Sequence, residues 1–297
     1  MKSLQYGVIV VDKPRGPSSH EVAAYVGRML GDVKVGHSGT LDPGVSGILS
    51  VMIGRAVKLA PLLLNEDKEY VCLLRLHGDV PEARIREVAS TFVGRIYQRP
   101  PKKSAVKRAL RIRRIYELEI LEIKGRDVLF RVACEAGTYI RSLCHHMGLL
   151  AGTGGHMQEL RRTGSGSFTE SNAYTLHEIS DACALAREGD PSVLEQMILP
   201  PERAALALPK VVIRDTAVDA VCRGAVLAGV GVLEKEQFKK GEHVVLMTTN
   251  DEMVCIGTPL VSSKDFSAGD TGLVVQPRKV LMEPGTYAKG WKSSEND

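Results

Sequence analysis

The chain has 297 residues, 44% hydrophobic and 25% charged, which is long and apolar enough for two cored domains of a soluble protein. Aromatic residues make up only 5%, which argues against a single-strand binder built on stacking platforms. The formal charge of +4 is mild, and its distribution along the chain says more than its size.

Gly7 to Val11 reads as a short β-branched strand, broken by Asp12-Lys13-Pro14-Arg15-Gly16-Pro17. Ser18, with Glu21 three residues on, forms a capping-box signature. Val22, Val26, Met29 and Leu30 then give one apolar helical face, closed by Gly31. The segment Gly36-His37-Ser38-Gly39-Thr40-Leu41-Asp42-Pro43-Gly44-Val45-Ser46-Gly47 holds four glycines, one proline and a single carboxylate. Glycine and proline disfavour helix and strand interiors alike, so a tightly folded loop presenting Asp42 is expected. The apolar run Ile48 to Ile53 would anchor it as a buried strand. A carboxylate on a glycine-rich loop held by a rigid element is a common way to build an active site.

Val57, Ala60, Leu63 and Leu64 suggest a helix, and Tyr70, Cys72, Leu74 and Leu76 alternate as a strand. Pro81 is placed to start a helix carrying Ile85, Val88 and Phe92. From Arg95 to Arg114 there are nine Lys or Arg and no Asp or Glu. Within that run Pro100 and Pro101 hold a lysine-rich loop extended. Charge of one sign at this density, inside a domain, points to phosphate contact through Lys102, Lys103, Lys107 and Arg108 rather than to a solvated tail. Such contacts supply affinity without sequence specificity.

Residues 115–134 read as a hairpin, with Val128, Phe130, Val132 and Cys134 alternating after the turn Lys124-Gly125-Arg126-Asp127. Thr138 is expected to cap a helix with Ile140, Leu143, Cys144, Met147 and Leu150 on one side. His145 and His146 would point about 100° apart on that helix, unlike an i, i+4 ligand pair, so no metal is expected there. Strands and helices mix without regular βαβ alternation. That predicts an α+β fold with a mixed or antiparallel central sheet flanked by helices.

A boundary falls between Pro200-Pro201 and Leu208-Pro209. Beyond it, short apolar strings at Val211 to Ile213, Val244 to Met247 and Leu273 to Val275 are separated by glycines. They read as a small barrel or sandwich. The expected division is a first domain over 1–208, a second over 209–285 and a polar tail over 286–297. The cysteines at 72, 134, 144, 183, 222 and 255 contain no C-x-x-C pair and read as small core residues in a reducing compartment. With no apolar leader and no span-length apolar run, a cytoplasmic protein without membrane association is expected.

The string Gly36 to Pro43, with Gly47 following, resembles the catalytic motif of the TruB/dyskerin pseudouridine synthases, whose essential aspartate falls on Asp42. A carboxylate beside a uracil tends to protonate, so it needs a cation to stay charged. Arg141 is the candidate, in the predicted first turn of a helix where the dipole disfavours a cation. Gly137-Thr138-Tyr139-Ile140-Arg141 also resembles the motif whose arginine pairs with the catalytic aspartate. Tyr70, in Asp67-Lys68-Glu69-Tyr70, resembles the active-site tyrosine that packs on the target base and relays a proton. Lys13 matches the lysine of the family's D-K-P-x-G motif, with support of the loop as the alternative to chemistry. His37 either positions the flipped nucleotide or stabilises the loop. Leu160 resembles an apolar contact under the base, the alternative being a core leucine.

The second domain resembles a PUA RNA-binding barrel through Arg223-Gly224-Ala225, Gly231-Val232, Lys240-Gly241-Glu242 and Cys255-Ile256-Gly257. Val226 and Val230 depart from the usual Asp and Pro of its first loop. The resemblance implies an isomerase that converts uridine to pseudouridine in RNA, without redox cofactor or metal. Leu76 to Pro81, Gln98 to Pro101, Ser104 to Arg108 and Gly155 to Thr163 look closer to archaeal dyskerin-type enzymes than to bacterial TruB. The short spacing from Ser104 to Tyr116 leaves no room for the bacterial thumb. The partners implied are a box H/ACA guide RNA, substrate rRNA and tRNA, and small core proteins. A stand-alone tRNA pseudouridine synthase is the alternative, and a non-catalytic PUA-containing scaffold is the reading from another class.

Overall fold

A computed structural model describes residues 6–100 and 109–288. These fall into two compact units, one of residues 9–52 and 60–198, the other of residues 6–8, 53–59 and 199–288. Along the first stretch run β1 (Tyr6–Lys13), α1 (Ser19–Met29), β2 (Val35–Ser38), β3 (Ser46–Gly54), α2 (Ala60–Leu64), β4 (Lys68–Leu76), α3 (Glu82–Ser90) and β5 (Gly94–Gln98). They are followed by β6 (Arg111–Lys124), β7 (Asp127–Cys134), α4 (Ile140–Leu150), β8 (Gly155–Ser165), β9 (Phe168–Thr169), β10 (Ala173–Tyr174), α5 (Leu176–Arg187) and α6 (Ser192–Met197). The second stretch comprises β11 (Lys210–Ile213), α7 (Asp215–Cys222), β12 (Leu227–Ala228), β13 (Val232–Lys235), β14 (Val244–Met247), β15 (Met253–Pro259) and β16 (Leu273–Val280).

The larger sheet has the order β10-β1-β3-β8-β4-β7-β6-β5, with β2 paired to β3 and β9 to β8. It is mixed: β3 runs parallel to β8, while β4 is antiparallel to both β7 and β8. Central β3 is buried from Gly47 to Ile53, as a strand covered on both faces must be. In β7 only alternate residues are buried: Val128, Phe130, Val132 and Cys134. These pack with Cys72, Leu74, Ile85, Val88, Leu143 and Met147 into one core between the sheet and helices α3 and α4. Arg161 on β8 donates two 2.9 Å bonds to Asp12 on β1, a bidentate tie across the intervening β3.

Local signals decide several elements. Ser18 and Glu21 form a reciprocal capping box at the start of α1, and Gly31 closes that helix with φ +85°. The hairpin β6–β7 turns at Gly125 with φ +58°. Three expectations differ from the structure. Gly36 to Ser38, expected in the loop, belong to the short strand β2 on β3, where a lone pairing tolerates the glycine. The helix expected through Leu64 is split into a 3-10 turn over Arg55–Leu59 and the one-turn α2, and Leu64 is exposed. Thr138 does not cap α4: its hydroxyl donates to Glu135 O at 2.6 Å, and Tyr139 takes the cap position.

In the second unit, residues 53–59 join the C-terminal segment. Arg55 pairs with Glu283 at 3.1 Å and Lys58 donates to Val280 O at 2.6 Å. Its sheet has the order β12-β16-β15-β14-β11-β13, with Val211, Leu246, Val254 and Val275 in its core. The edge strands β12 and β13 are joined by the short turn Gly229–Gly231. Four residue steps reach only about 15 Å, whereas the flat width of such a sheet would be about 24 Å. The sheet must therefore curl into a near-barrel. Val230 is exposed at that turn, while Gly229 packs against Asp270 so tightly that a Cβ would lie 2.6 Å from its carbonyl oxygen.

Candidate active site

The loop between β2 and β3 is fixed by buried donors from distant parts of the first unit. Lys13, fully buried, donates to Val45 O at 2.8 Å and reaches Pro43 O at 3.5 Å. The Ser19 hydroxyl accepts from the Leu41 amide at 2.8 Å and donates to the Leu41 carbonyl at 3.0 Å. Arg162 on β8 donates to Gly39 O at 2.9 Å and to Ile48 O at 2.7 Å. Gly39 has φ +71°, and a Cβ there would come within 3.1 Å of the same guanidinium. The result is a short rigid platform with Asp42 at its tip.

Asp42 forms an ion pair with Arg141 from the first turn of α4, and both side chains are about half exposed. The start of α4 is set by Gln98, which is buried at the end of β5. Its amide accepts from Tyr139 N at 2.9 Å and donates to Tyr139 O at 3.1 Å. Beside the pair opens a cavity of about 510 Å³, lined among others by Asp42, Arg141, Tyr70, Leu160, Met157 and Leu64. Tyr70 projects from β4, opposite Arg162 in the β4–β8 ladder, and Leu160 lies opposite Cys72. The ladder shifts by one residue between Glu159 and Met157. That bulge lets Met157 and Leu160, three apart, both face the cavity.

Of the residues expected from sequence, Asp42, Tyr70, Arg141 and Leu160 thus share one cavity. Lys13 lies beneath the loop and supports it. His37 on β2 does not line the cavity. Burial, with His20 and Arg162 adding to it, holds its pKa below the ordinary value, and its buried Nδ1 has no partner. Lys102, Lys103, Lys107 and Arg108 lie outside the described residues. Nearby, Arg111 and Arg113 sit on β6. His145 is exposed and His146 half-buried.

Sequence reasoning did not single out the two cations at the floor of the cavity, Arg162 and Lys68, which are 1% and 6% exposed. Lys68 donates to Leu63 O at 3.0 Å and Glu66 O at 2.6 Å; burial, then Arg162, lowers its pKa to about 8. Burial raises the Tyr70 phenol above its ordinary pKa, and the adjacent Arg162 opposes that rise. Burial pushes Glu66 up to about 7. A carboxylate held beside an arginine, over a half-apolar slot with a buried phenol, suits acid–base or nucleophilic work on a flat, uncharged ring.

Comparisons with known proteins agree. Residues 27–140 match the TruB family pseudouridylate synthase N-terminal domain, and residues 141–205 the tRNA pseudouridylate synthase B C-terminal domain. Residues 209–281 match the PUA domain and residues 1–23 the DKCLD (NUC011) domain. The chain is 50% identical over 297 residues to a probable tRNA pseudouridine synthase B of Methanosarcina barkeri, covering 99% of this chain and 88% of that one. It is also 50% identical to the probable tRNA pseudouridine synthase B of Archaeoglobus fulgidus, covering 99% and 91%. Among solved structures, a Cbf5-Nop10-Gar1 complex matches with TM-score 0.92 and 48% identity, covering 97% of this chain and 88% of the matched one. An H/ACA RNP bound to a substrate RNA containing 2'-deoxyuridine matches with TM-score 0.91 and 46% identity, covering 98% and 89%. The chain therefore belongs to the TruB family of pseudouridine synthases, enzymes that isomerise uridine in RNA.

Proposed function

We propose that this pseudouridine synthase is the catalytic subunit of a box H/ACA ribonucleoprotein in the cytoplasm. It isomerises uridines of rRNA chosen by a guide RNA, and the T-loop uridine of tRNA as well. Small core proteins and the guide RNA hold the substrate. Two features support the guided reading: the likeness to chains of H/ACA complexes, and the short connection, residues 99–110, where a clamping insertion would stand. The PUA near-barrel and the basic run are the parts suited to holding RNA.

In this reading Asp42 is the catalytic carboxylate, and its ion pair with Arg141 at the mouth of the cavity is the observation that carries the assignment. The target base leaves its stack and enters the slot between Tyr70 and Leu160. Arg141 stays paired with Asp42 as the base closes over it. Asp42 then acts on the sugar, as a nucleophile at C1′ or as a base at C2′. The bond between C1′ and N1 breaks, the base turns, and a bond forms between C1′ and C5; in that last step the Asp42 oxygen leaves C1′ on the first route, or the C2′ proton returns from Asp42 on the second. C5 loses its proton, N1 gains one, and Tyr70 relays it. All atoms of the substrate remain in the product, so the reaction needs no oxidant, reductant or second substrate. Lys13 and His37 support the loop, and Leu160 supports the base.

The test is Asp42→Asn under single-turnover conditions. Pseudouridine formation is abolished while RNA affinity stays near that of the unaltered protein. Turnover above background would remove Asp42 from its role. A tRNA transcript, with and without guide RNA and core proteins, separates the two modes of action; activity of the protein alone on rRNA fragments would exclude guide dependence.

A further inference from the structure

Arg162 is among the largest fully buried side chains, and among the described residues no carboxylate pairs with it. A buried guanidinium without a counter-ion is costly, so its surroundings have to satisfy it fully. Its donors fan out toward the loop on one side. Nε bonds the Ile48 carbonyl at 2.7 Å and Nη2 bonds the Gly39 carbonyl at 2.9 Å, while Tyr70, its cross-strand partner in the β4–β8 ladder, lines the cavity beside it. Gly39 and Ile48 bracket Asp42. The backbone of Arg162 meets the same loop, because it pairs with Gly47 so closely that a Cβ on Gly47 would lie 2.2 Å from Arg162 O. Lys68 is also buried on this floor, but its ammonium donates to the Leu63 and Glu66 carbonyls.

We infer that Arg162 is a positioning residue for the isomerisation: one guanidinium sets the Tyr70 phenol in register with the loop that carries Asp42. The planar fork explains why an arginine serves here. A lysine has a single nitrogen and cannot hold two carbonyls in fixed geometry beside the phenol. Loss of the fork leaves the loop and Tyr70 each supported by other contacts, but no longer tied to one another.

The inference rests on the reading of Asp42 and Tyr70 given above, and a double-mutant cycle separates the two. Single-turnover rates are measured for the unaltered protein, Arg162→Lys, Tyr70→Phe and the pair together, with RNA affinity and melting temperature followed for each. Arg162→Lys is expected to slow the chemical step about 10²-fold, as a misplacement near 1 Å does, with RNA affinity unchanged. The double variant is expected to be no slower than the slower single variant, because Arg162 acts through Tyr70. A purely structural arginine would give multiplied losses, and that result overturns the inference, as does an unchanged rate in either single variant. Failure of the site reading would show separately, as residual activity of Asp42→Asn. Should Arg162→Lys not fold, Gly39→Ala presses on the same guanidinium from the loop side. Its cycle with Tyr70→Phe is expected to show the same non-additivity, and multiplied losses there overturn the inference equally.

Discussion

Replacing Gly47 by alanine tests how the catalytic loop is closed. Gly47 has φ +102°, and an added Cβ would lie 2.2 Å from the oxygen, 2.7 Å from the nitrogen and 2.9 Å from the carbonyl carbon of Arg162. All three are backbone atoms of a paired strand, so no side chain can swing aside. Left-handed backbone in a residue with a Cβ costs roughly 1–2 kcal/mol. Prising the β3–β8 pair apart to admit the methyl adds about 1–3 kcal/mol, by analogy with overpacked cores. The sum, about 2–5 kcal/mol, corresponds to a fall in melting temperature of roughly 4–20 °C for a unit of this size. Gly44 is the internal control: it lies in the same loop, its φ is not positive, and a Cβ there meets nothing within 4 Å. Alanine at Gly44 is expected within about 0.5 kcal/mol of the parent. Thermal unfolding followed by circular dichroism decides the matter. If the two alanine variants melt together, the close approach of Gly47 to Arg162 is not what closes the loop.

Gln98→Leu removes both side-chain bonds to Tyr139 at the start of α4. It should cost about 1–3 kcal/mol in a denaturant titration and slow single-turnover pseudouridine formation by loosening Arg141. Neutralising Lys102, Lys103 and Lys107 together to Gln should weaken RNA binding and make the log–log salt slope shallower by about 2–3; an unchanged slope would mean they face solvent. Glu66 is a carboxyl whose pKa burial raises from 4.5 to about 7. The folded state therefore holds its proton longer than the unfolded chain, and the stability it contributes below pH 4.5 is lost as pH rises through 7. Melting temperature should decline across that window in the parent and decline less in Glu66→Gln; parallel pH profiles would refute the assignment.

What was legible in the sequence was local. The glycine and proline content around Asp42 dictates a loop whatever lies beneath it, and the Ser18–Glu21 box needs only four consecutive residues to declare itself. The alternation of Val128, Phe130, Val132 and Cys134 is read from one strand alone. Thr138 misled because the α4 terminus is served by Gln98, 41 residues earlier, which frees Thr138 to bond Glu135. Arg162 escaped because Arg161 and Arg162 look alike side by side. A signal does exist: the sequence places Leu160 under the base, and in a strand the residue two further on shares its face. The same rule, applied from Tyr70, points to Lys68. Met157 was out of reach of any periodicity, since only the bulge between Glu159 and Met157 turns it toward the cavity.

The bonds from Lys13 and Arg162 to the Asp42 loop end on backbone carbonyls, and every residue type carries one of those. Side chains at 45 and 48 can vary without touching these bonds, whereas nothing inside the loop can make good the loss of a donor. Part of the loop's shape is thus encoded outside the loop, 32 residues before Val45 and 114 residues after Ile48. A graft of residues 36–47 into another scaffold would carry the carboxylate but leave its geometry behind. The smallest transplantable form of this active site is a discontinuous one that brings positions 13 and 162 along.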